Sequence, residues 1–289
     1  MSFFQKFIIK LILTQFTVSI INSIKDENPS ESRSDNTMYQ NYIFDLYGTL
    51  VDIHTNEDKT YLWDKMTELY GFQGAVYTRT ELRKTYLAFC AQETKVLLAQ
   101  SIVTFPEIQI EKVFRQLYTH KGITPGDELV TFTAQMFRIV ATQYIRLYDG
   151  VEEMLQTLRE NGKKIYLLSN AQYEFTMYEL NYLGLTPYFD GIMISSCEGC
   201  KKPDKAFYEV LLSRYGLDRK ESIMIGNEKE SDIKGAAVAG IDSLYIASNL
   251  SPESDKDLPC PANFEITDGD VRKILTLTLQ TARPEPEFL

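Results

Sequence analysis

Five short apolar runs, each about as long as a buried strand, alternate along this chain with longer amphipathic stretches. The runs cover residues 42–46, 164–168, 191–195, 222–225 and 243–246. In one intervening stretch the apolar residues have the i, i+3, i+4, i+7 spacing of a helix face: Val151, Met154, Leu155 and Leu158. Asn161-Gly162, which follows them, is a sequence typical of a helix end. This alternation predicts an α/β fold, a Rossmann-like doubly wound parallel sheet with helices on both faces.

The first run ends in a carboxylate that enters a tight turn, Asp45-Leu46-Tyr47-Gly48-Thr49. An ionised, oriented carboxylate at a strand end can act as a covalent nucleophile. Gly48 permits the turn, and the Thr49 hydroxyl could hold substrate oxygens or orient Asp45. The alternative role for Asp45 is to cap the turn.

Three further polar segments follow in the chain, and two of them come directly after apolar runs. They are Ser169-Asn170, Lys202-Pro203-Asp204, and Gly226-Asn227 through Asp232. Polar residues just beyond the carboxyl ends of parallel strands converge at the place where such sheets bind ligands. The four segments, in this order and at these distances, resemble those of the haloacid dehalogenase superfamily of hydrolases, from about Met38 to the 270s.

The resemblance implies a role for each matching residue. The catalytic set would be Asp45, Tyr47, Thr49, Ser169, Asn170 and Lys202. Ser169 or Asn170 would hydrogen-bond the transferring group, while the Lys202 ammonium, rather than that of Lys201, would balance the charge at Asp45. Magnesium would be held by Asp45, Tyr47, Asn227, Glu228 and Asp232, since a hard cation prefers oxygen ligands. Substrate-binding roles would fall to Gly48, Arg79 and Tyr208.

Two departures from the family's phosphatases leave the reaction open. Asn227 stands where a metal-binding Asp is usual, and Tyr47 replaces the Asp that protonates the leaving group. A tyrosine, with an ordinary pKa of about 10, donates a proton but is a poor base at neutral pH. The Tyr47 motif resembles that of the 2-haloacid dehalogenases, but the spacing from Asn227 to Asp232 is typical of phosphatases.

Three functions are therefore considered. The leading hypothesis is a magnesium-dependent phosphatase that acts on a small, anionic phosphorylated metabolite. The alternatives are a dehalogenase for short 2-haloacids, and a catalytically impaired protein that binds a ligand or another protein. Turnover with or without metal separates the first two hypotheses, and saturable binding without turnover indicates the third.

The resemblance also predicts how the chain divides into domains. Residues 55–146, which carry long helical patterns, would form an inserted helical cap of the first cap class, and residues 38–54 and 147–283 the core. A cap of this kind excludes water and contacts the substrate. Residues 1–37 are predicted to be an N-terminal extension or a mis-called start, with a membrane-surface anchor as the alternative.

Composition and charge limit the classes of binding partner and the cellular compartment. The formal net charge of −10 disfavours nucleic acid, whose phosphates would be repelled. The four cysteines are too few for a disulfide framework, which fits a reducing, cytoplasmic compartment. Cys197 and Cys200 have the spacing of half a zinc site, but no second pair accompanies them and a plain loop is favoured. His54 is expected to be an exposed hinge residue rather than an acid or base.

Overall fold

The computed structural model describes residues 39–100 and 103–279. The prediction of an N-terminal extension over residues 1–37 lies outside the described residues, as do Met38 and the predicted end of the core at 280–283.

A six-stranded parallel sheet forms the centre of the fold. In chain order the strands are β1 (Asn41–Phe44), β2 (Val51–Thr55), β3 (Thr142–Leu147), β4 (Lys164–Ser169), β5 (Gly191–Ile194), β6 (Ser222–Gly226), β7 (Asp242–Ile246) and β8 (Phe264–Ile266). The large sheet has the order β5-β4-β1-β6-β7-β8, and every neighbouring pair in it is parallel. The predicted doubly wound α/β fold is therefore confirmed.

Helices connect the strands and cover both faces of the sheet. They are α1 (Thr60–Phe72), α2 (Arg79–Gln100), α3 (Ile110–Thr119), α4 (Asp127–Ala141), α5 (Val151–Glu160), α6 (Tyr173–Tyr182), α7 (Ser195–Glu198), α8 (Lys205–Tyr215), α9 (Gly235–Ala239) and α10 (Lys273–Leu279). A π-helix, Lys229–Lys234, precedes α9, and three short 3-10 helices cover Thr186–Tyr188, Arg219–Glu221 and Glu253–Asp257.

Alternation along β1 shows why the sheet needs two helical layers. Tyr42 and Phe44 are fully buried in one apolar cluster, which includes the inner face of α5. Ile43 is fully buried in a second cluster on the other side, which includes the inner face of α8. Successive side chains of a strand point to opposite faces, so a central strand that is apolar throughout must be covered twice.

The four helices α1–α4, here called the cap helices, lie between two strands that pair apart from the main sheet. β2 and β3 form an antiparallel hairpin, and the cap helices share a third apolar cluster that contains Trp63 and Phe137. Phe175 of α6 also belongs to this cluster. The hairpin strands end at 55 and begin at 142, close to the predicted cap boundaries, which stay a prediction.

A buried carboxylate joins the base of this hairpin to the core. Asp52 of β2 accepts hydrogen bonds from the Arg146 guanidinium at 2.7 and 2.9 Å, and from the Asn249 amide at 2.9 Å. Asn249 follows β7 of the main sheet. Although burial opposes ionisation, these hydrogen bonds hold the pKa of Asp52 below its usual value. In the described ranges, no helix is both long and apolar enough to cross a membrane.

Candidate active site

Asp45 follows β1 directly and lies at the centre of the sheet. Its backbone N–H donates to the Ile225 carbonyl at 2.9 Å, which extends the pairing with β6 by one step. The carboxylate is 8% exposed, and its Oδ1 accepts from Lys202 Nζ at 2.6 Å. Burial raises the pKa of Asp45, and the Lys202 ammonium offsets part of that rise.

Lys202 is buried between two carboxylates. Its Nζ donates to Asp45 and also to Asp232 Oδ1, at 2.7 Å. Burial alone would lower the pKa of Lys202, but the two carboxylates outweigh it and raise that pKa. The lysine therefore remains an ammonium beside the predicted nucleophile, which reduces the repulsion between Asp45 and an anionic substrate.

Asp232 is held on both oxygens. Besides the Lys202 contact, its Oδ2 accepts from the Glu228 backbone N–H at 3.0 Å. Gly226 leaves room for this carboxylate, since a Cβ at that position would lie 2.2 Å from it. Burial raises the pKa of Asp232 to about 6, although Lys202 acts against the rise. The geometry supports a role for Asp232 in positioning Lys202.

The turn after Asp45 packs against the segment that follows β6. Gly48 has φ +89°, and a Cβ there would lie 2.2 Å from Asn227 Nδ2, so a larger residue would be excluded on two counts. The Thr49 hydroxyl lies 3.4 Å from Asp45 Oδ2 and 3.3 Å from Asn227 Oδ1. These contacts bring Asp45 and Asn227 to the same side of the turn.

The segment after β4 supplies two different groups. The Asn170 side chain binds the backbone of Lys202 twice, accepting from its N–H at 2.8 Å and donating to its carbonyl at 3.0 Å. Asn170 therefore fixes the loop that carries the lysine. Ser169 is 1% exposed, and its Oγ has no hydrogen-bond partner among the described residues. A buried hydroxyl normally has a partner, so this one is available to a ligand.

Tyr47 directs its hydroxyl toward α6. The hydroxyl donates to the Glu179 carboxylate and lies 3.1 Å from the Thr176 hydroxyl. Burial, followed by the nearby Glu179 charge, raises the pKa of Tyr47 well above its ordinary value. On the other side of Glu179 lies Arg138 of α4, whose Nε donates at 2.5 Å. Its guanidinium also lies 5.4 Å from the centre of the Tyr47 ring.

A cavity of about 340 Å³ lies between the core and the cap helices beside these residues. Its lining includes Tyr47, Asn170, Gln172, Phe175 and Thr176 from the core, with Arg138 from the cap helices. Tyr47 belongs to the turn after Asp45, and Asn170 holds the backbone of Lys202, so this cavity lies beside the candidate site.

Residues 103–109, which precede α3 and are here called the strap, are hydrogen-bonded to the loop that carries Lys202. The Phe105 carbonyl of the strap accepts from the Lys201 N–H at 2.9 Å. The Asp204 carboxylate in turn accepts from the backbone N–H groups of Thr104 and Phe105, at 2.7 and 3.2 Å. The strap therefore binds on both sides of Lys202.

Two of the predicted substrate-binding residues have other partners. Arg79 forms an exposed ion pair with Asp64, at 2.9 Å, and lines a separate cavity within the cap helices. Tyr208 is fully buried, and its hydroxyl donates to the backbone carbonyls of Ser231 and Asp232. Tyr208 therefore holds the segment that carries Asp232. Arg138 of α4 instead lines the cavity that Tyr47 borders.

Four other residues singled out from the sequence lie around the site or away from it. Glu228 is partly exposed, and its side chain accepts from the Ser231 hydroxyl at 2.6 Å. His54 is exposed in the hairpin and stacks on Tyr144, with ring centres 6.0 Å apart. Cys197 is exposed and Cys200 is buried, and both thiols are free.

The oxygen atoms beside Asp45 suit a hard cation, although only one carboxylate among them is free to bind it. The Asp45 carboxylate and the Asn227 amide oxygen lie together, while both oxygens of Asp232 are used by Lys202 and Glu228. Within the described ranges, no three His, Cys, Asp or Glu side chains are grouped to hold a metal. Mg²⁺ is commonly bound through one or two carboxylates, waters and substrate phosphates, so such a set is sufficient for it.

Three curated proteins are similar to this chain in sequence. A phosphoserine phosphatase from Thermus thermophilus is 28% identical over 164 residues, which are 57% of this chain and 63% of that protein. The pyrimidine 5'-nucleotidase PynA from Streptococcus pneumoniae is 25% identical over 217 residues, 72% of this chain and 83% of that protein. A ribulose-1,5-bisphosphate 5-phosphatase from Halopiger xanaduensis is 30% identical over 49% of this chain and 58% of that protein.

Solved structures show the same fold. A 2-haloacid dehalogenase from Pseudomonas syringae superposes with a TM-score of 0.54 at 17% identity, over 83% of this chain and 99% of that chain. A dehalogenase in an intermediate complex gives 0.52 at 17% identity, over 85% of this chain and 99% of that chain. The family pattern of the haloacid dehalogenase-like hydrolases matches residues 39–240. The chain therefore belongs to the haloacid dehalogenase-like hydrolases, and the predictions of this family and of a hydrolase are confirmed.

Proposed function

We propose that this protein is a magnesium-dependent phosphatase that acts on a small phosphorylated metabolite and uses Asp45 as its nucleophile. The observation that carries the proposal is the pairing of a buried ammonium with Asp45, 2.6 Å apart, next to the unpartnered Ser169 hydroxyl on the adjacent strand. A phosphoryl group placed there meets a nucleophile, a positive charge and a free donor. The three relatives described above are all named as phosphatases or a nucleotidase, which supports the same reaction.

Each residue has a defined part in the proposed reaction. A carboxylate oxygen of Asp45 forms a bond to phosphorus while the bond to the leaving-group oxygen breaks, and water later opens the aspartyl phosphate. Lys202 balances the charge that the incoming phosphate brings to Asp45. The Ser169 hydroxyl hydrogen-bonds a phosphoryl oxygen, where a donor stabilises the charge of the transition state. Asp232 and Asn170 hold the lysine in place through its side chain and backbone.

The proposed magnesium ligands are the Asp45 carboxylate, the Asn227 amide oxygen and the Tyr47 backbone carbonyl. Glu228, at the rim of the same segment, would reach the ion through water. Magnesium, when bound, neutralises charge on the phosphate and orients it toward the nucleophile. We place Asp232 outside this set because the Lys202 ammonium and a backbone N–H occupy its two oxygens, at 2.7 and 3.0 Å, whereas Oδ2 of Asp45 has the longer contact of 3.4 Å with the Thr49 hydroxyl.

A 2-haloacid dehalogenase is the second candidate, and Tyr47 is the observation that favours it. A halide departs without a proton, so a nucleophilic Asp with a Tyr two positions later would be sufficient for that reaction. The likeness to dehalogenase structures is at 17% identity and concerns the fold. The predicted cytoplasmic location stays a prediction under either function.

The test is product release by purified protein from a panel of phosphate esters and of 2-haloacids, with and without Mg²⁺. Phosphate release that requires Mg²⁺ and disappears in Asp45→Asn is the expected result. Halide release that is unchanged by EDTA would replace the proposal with the dehalogenase function. Saturable binding of a phosphorylated ligand without turnover would support the catalytically impaired alternative.

A further inference from the structure

We infer that Glu57 binds a cationic group on the leaving-group part of the substrate, and that the site therefore prefers phosphate monoesters of amino alcohols. This substrate class rests on the proposed phosphatase function. It follows from the position and the charges of the cavity between the core and the cap helices.

The position of Ser169 indicates which cavity receives the leaving group. A phosphoryl group held by Asp45 and the Ser169 hydroxyl lies at the ends of the neighbouring strands β1 and β4. Residues 170–172, which follow Ser169 directly, line the cavity of about 340 Å³. A second cavity, of about 330 Å³, borders Gly48 and Thr49 from the side of β7 and β8, which lie beyond β6 in the sheet. The leaving group of a substrate bound at Ser169 would therefore lie in the first cavity.

Glu57 and Arg138 are the charged side chains in the lining of this cavity. Arg138 is paired, because its guanidinium donates to both oxygens of the buried Glu179, at 2.5 and 3.2 Å. The Glu57 carboxylate has no hydrogen bond or ion pair with any residue in the ranges 39–100 and 103–279. These three side chains together carry one net negative charge, and Glu57 is the group that presents it to a ligand.

The backbone of Glu57 is fixed at the edge of the cavity. Glu57 follows β2, and its carbonyl accepts from the indole N–H of Trp63 in α1, at 2.7 Å. The residue is exposed, so a ligand in the cavity can reach it. Nearby protein atoms still remove part of the water around the carboxylate, which raises the pKa of Glu57, and the Arg138 charge offsets part of that rise. A cation bound beside Glu57 would lower its pKa further and keep it ionised.

A substrate in this cavity displaces water from the Glu57 carboxylate, and the chemistry of the substrate determines the cost. An ammonium group donates charge-assisted hydrogen bonds, which are about twice as strong as those between neutral groups. An alkyl group of the same size leaves the carboxylate without a donor, which is unfavourable. A carboxylate on the substrate adds repulsion between like charges. The order of preference is therefore cationic, then neutral, then anionic.

The next residue in the chain provides a matched control. Asp58 lines a different cavity, within the cap helices, and forms an exposed ion pair with Arg83. Glu57→Gln and Asp58→Asn each remove one negative charge from adjacent positions, but only the first changes the lining of the cavity beside the candidate site. Comparison of the two variants therefore separates direct contact with the substrate from a general effect of charge.

The experiment measures kcat and KM of the full chain with Mg²⁺ for a series of aminoalkyl phosphates of increasing chain length. Each has a neutral counterpart, in which a methyl group replaces the ammonium, and an anionic counterpart that ends in a carboxylate. The chain length that reaches Glu57 should give a kcat/KM about 10–100-fold above that of its neutral counterpart, the usual contribution of a hydrogen bond to a charged group. The anionic counterpart should be the poorest substrate of the three.

The variants identify the group that is responsible. Glu57→Gln should lower kcat/KM for the aminoalkyl phosphate to the level of its neutral counterpart, Asp58→Asn should keep the wild-type preference, and Glu57→Lys should favour the anionic series. Equal wild-type rates on aminoalkyl and neutral phosphates would overturn the inference and leave the proposed function intact. An equal loss on both series in Glu57→Gln would also overturn it, because Glu57 would then serve the reaction instead of recognising the cation. No phosphate release from any member of the series would refute the proposed function, and the inference with it.

Discussion

Removing the Ser169 hydroxyl should make the protein more stable and less active. Ser169 Oγ is buried at the end of β4 without a partner among the described residues. An unsatisfied buried polar group costs about 1–3 kcal/mol of folding free energy. Ser169→Ala removes that cost and leaves a void smaller than a methyl group, whose penalty is about 0.5 kcal/mol.

The net effect should therefore be a gain of roughly 0.5–2.5 kcal/mol in the free energy of unfolding. At about 2–4 °C per kcal/mol for a domain of this size, the melting temperature should rise by about 1–10 °C. Loss of a donor to the phosphoryl oxygens should lower kcat by about 10²–10³-fold. The two effects have opposite signs because the free hydroxyl serves the substrate instead of the fold.

The assay is urea unfolding of the ligand-free protein together with phosphate release. The chain offers a matched control in Ser195, a fully buried serine next to the end of β5. Its Oγ accepts from the Ala171 N–H at 2.8 Å, so Ser195→Ala should lose about 1–3 kcal/mol of stability. If Ser169→Ala is destabilised as much as the control, its hydroxyl has a structural partner. If it keeps full activity, the assignment to substrate is wrong.

Three further predictions concern the metal, the cap and pH. Asn227→Asp adds a negative charge beside Asp45 and should increase the apparent affinity for Mg²⁺ by about an order of magnitude or more. The affinity is measured from activity against Mg²⁺ concentration, and an unchanged affinity would show that Asn227 is not a ligand. Arg138→Ala, which removes the cationic partner of the buried Glu179, should cost about 3–5 kcal/mol of stability by urea unfolding. The matched control Arg83→Ala, which breaks the exposed ion pair with Asp58, should cost under about 1 kcal/mol, and equal losses would contradict the argument. The pKa of Asp232 is raised to about 6 in the folded state, above its ordinary value, so the folded protein binds this proton more tightly than the unfolded chain. The stability that Asp232 contributes is therefore fully present below about pH 4 and is lost as the pH rises through 6. The unfolding free energy of wild type minus that of Asp232→Asn should therefore fall from pH 4 to 8, and a rise would show that the ion pair with Lys202 dominates.

The central sheet was predictable because its strands carry their own signal. Residues 42–44 and 223–225 are apolar and buried on both faces, the pattern typical of a strand covered by two helical layers. The hairpin of β2 and β3 was missed for the opposite reason. β3 is only partly buried along its length, and its pairing depends on a partner about ninety residues away in the chain.

The site was predictable where a residue follows a strand, and unpredictable where a distant side chain decides its role. Asp45 and Ser169 were found from the runs that precede them. Nothing local marks Glu179 or Arg138, which are single charged residues on helices, and a charged helical residue usually faces water. Their contact exists only because α4 packs on α6. The hydrogen bond from the Tyr47 hydroxyl to Glu179 therefore could not be predicted from the sequence of the turn alone.

The strap of residues 103–109 restricts how the cap helices can move. Substrate entry by a free swing about the β2–β3 hairpin would have to break the hydrogen bonds from Lys201 and those to Asp204, on both sides of Lys202. A motion that keeps those bonds would carry the lysine loop with the cap and pull the ammonium away from Asp45. Opening of the cavity and placement of the Lys202 charge would then depend on each other, so that a rate limited by opening would respond to mutations in the strap as well as in the turn after Asp45.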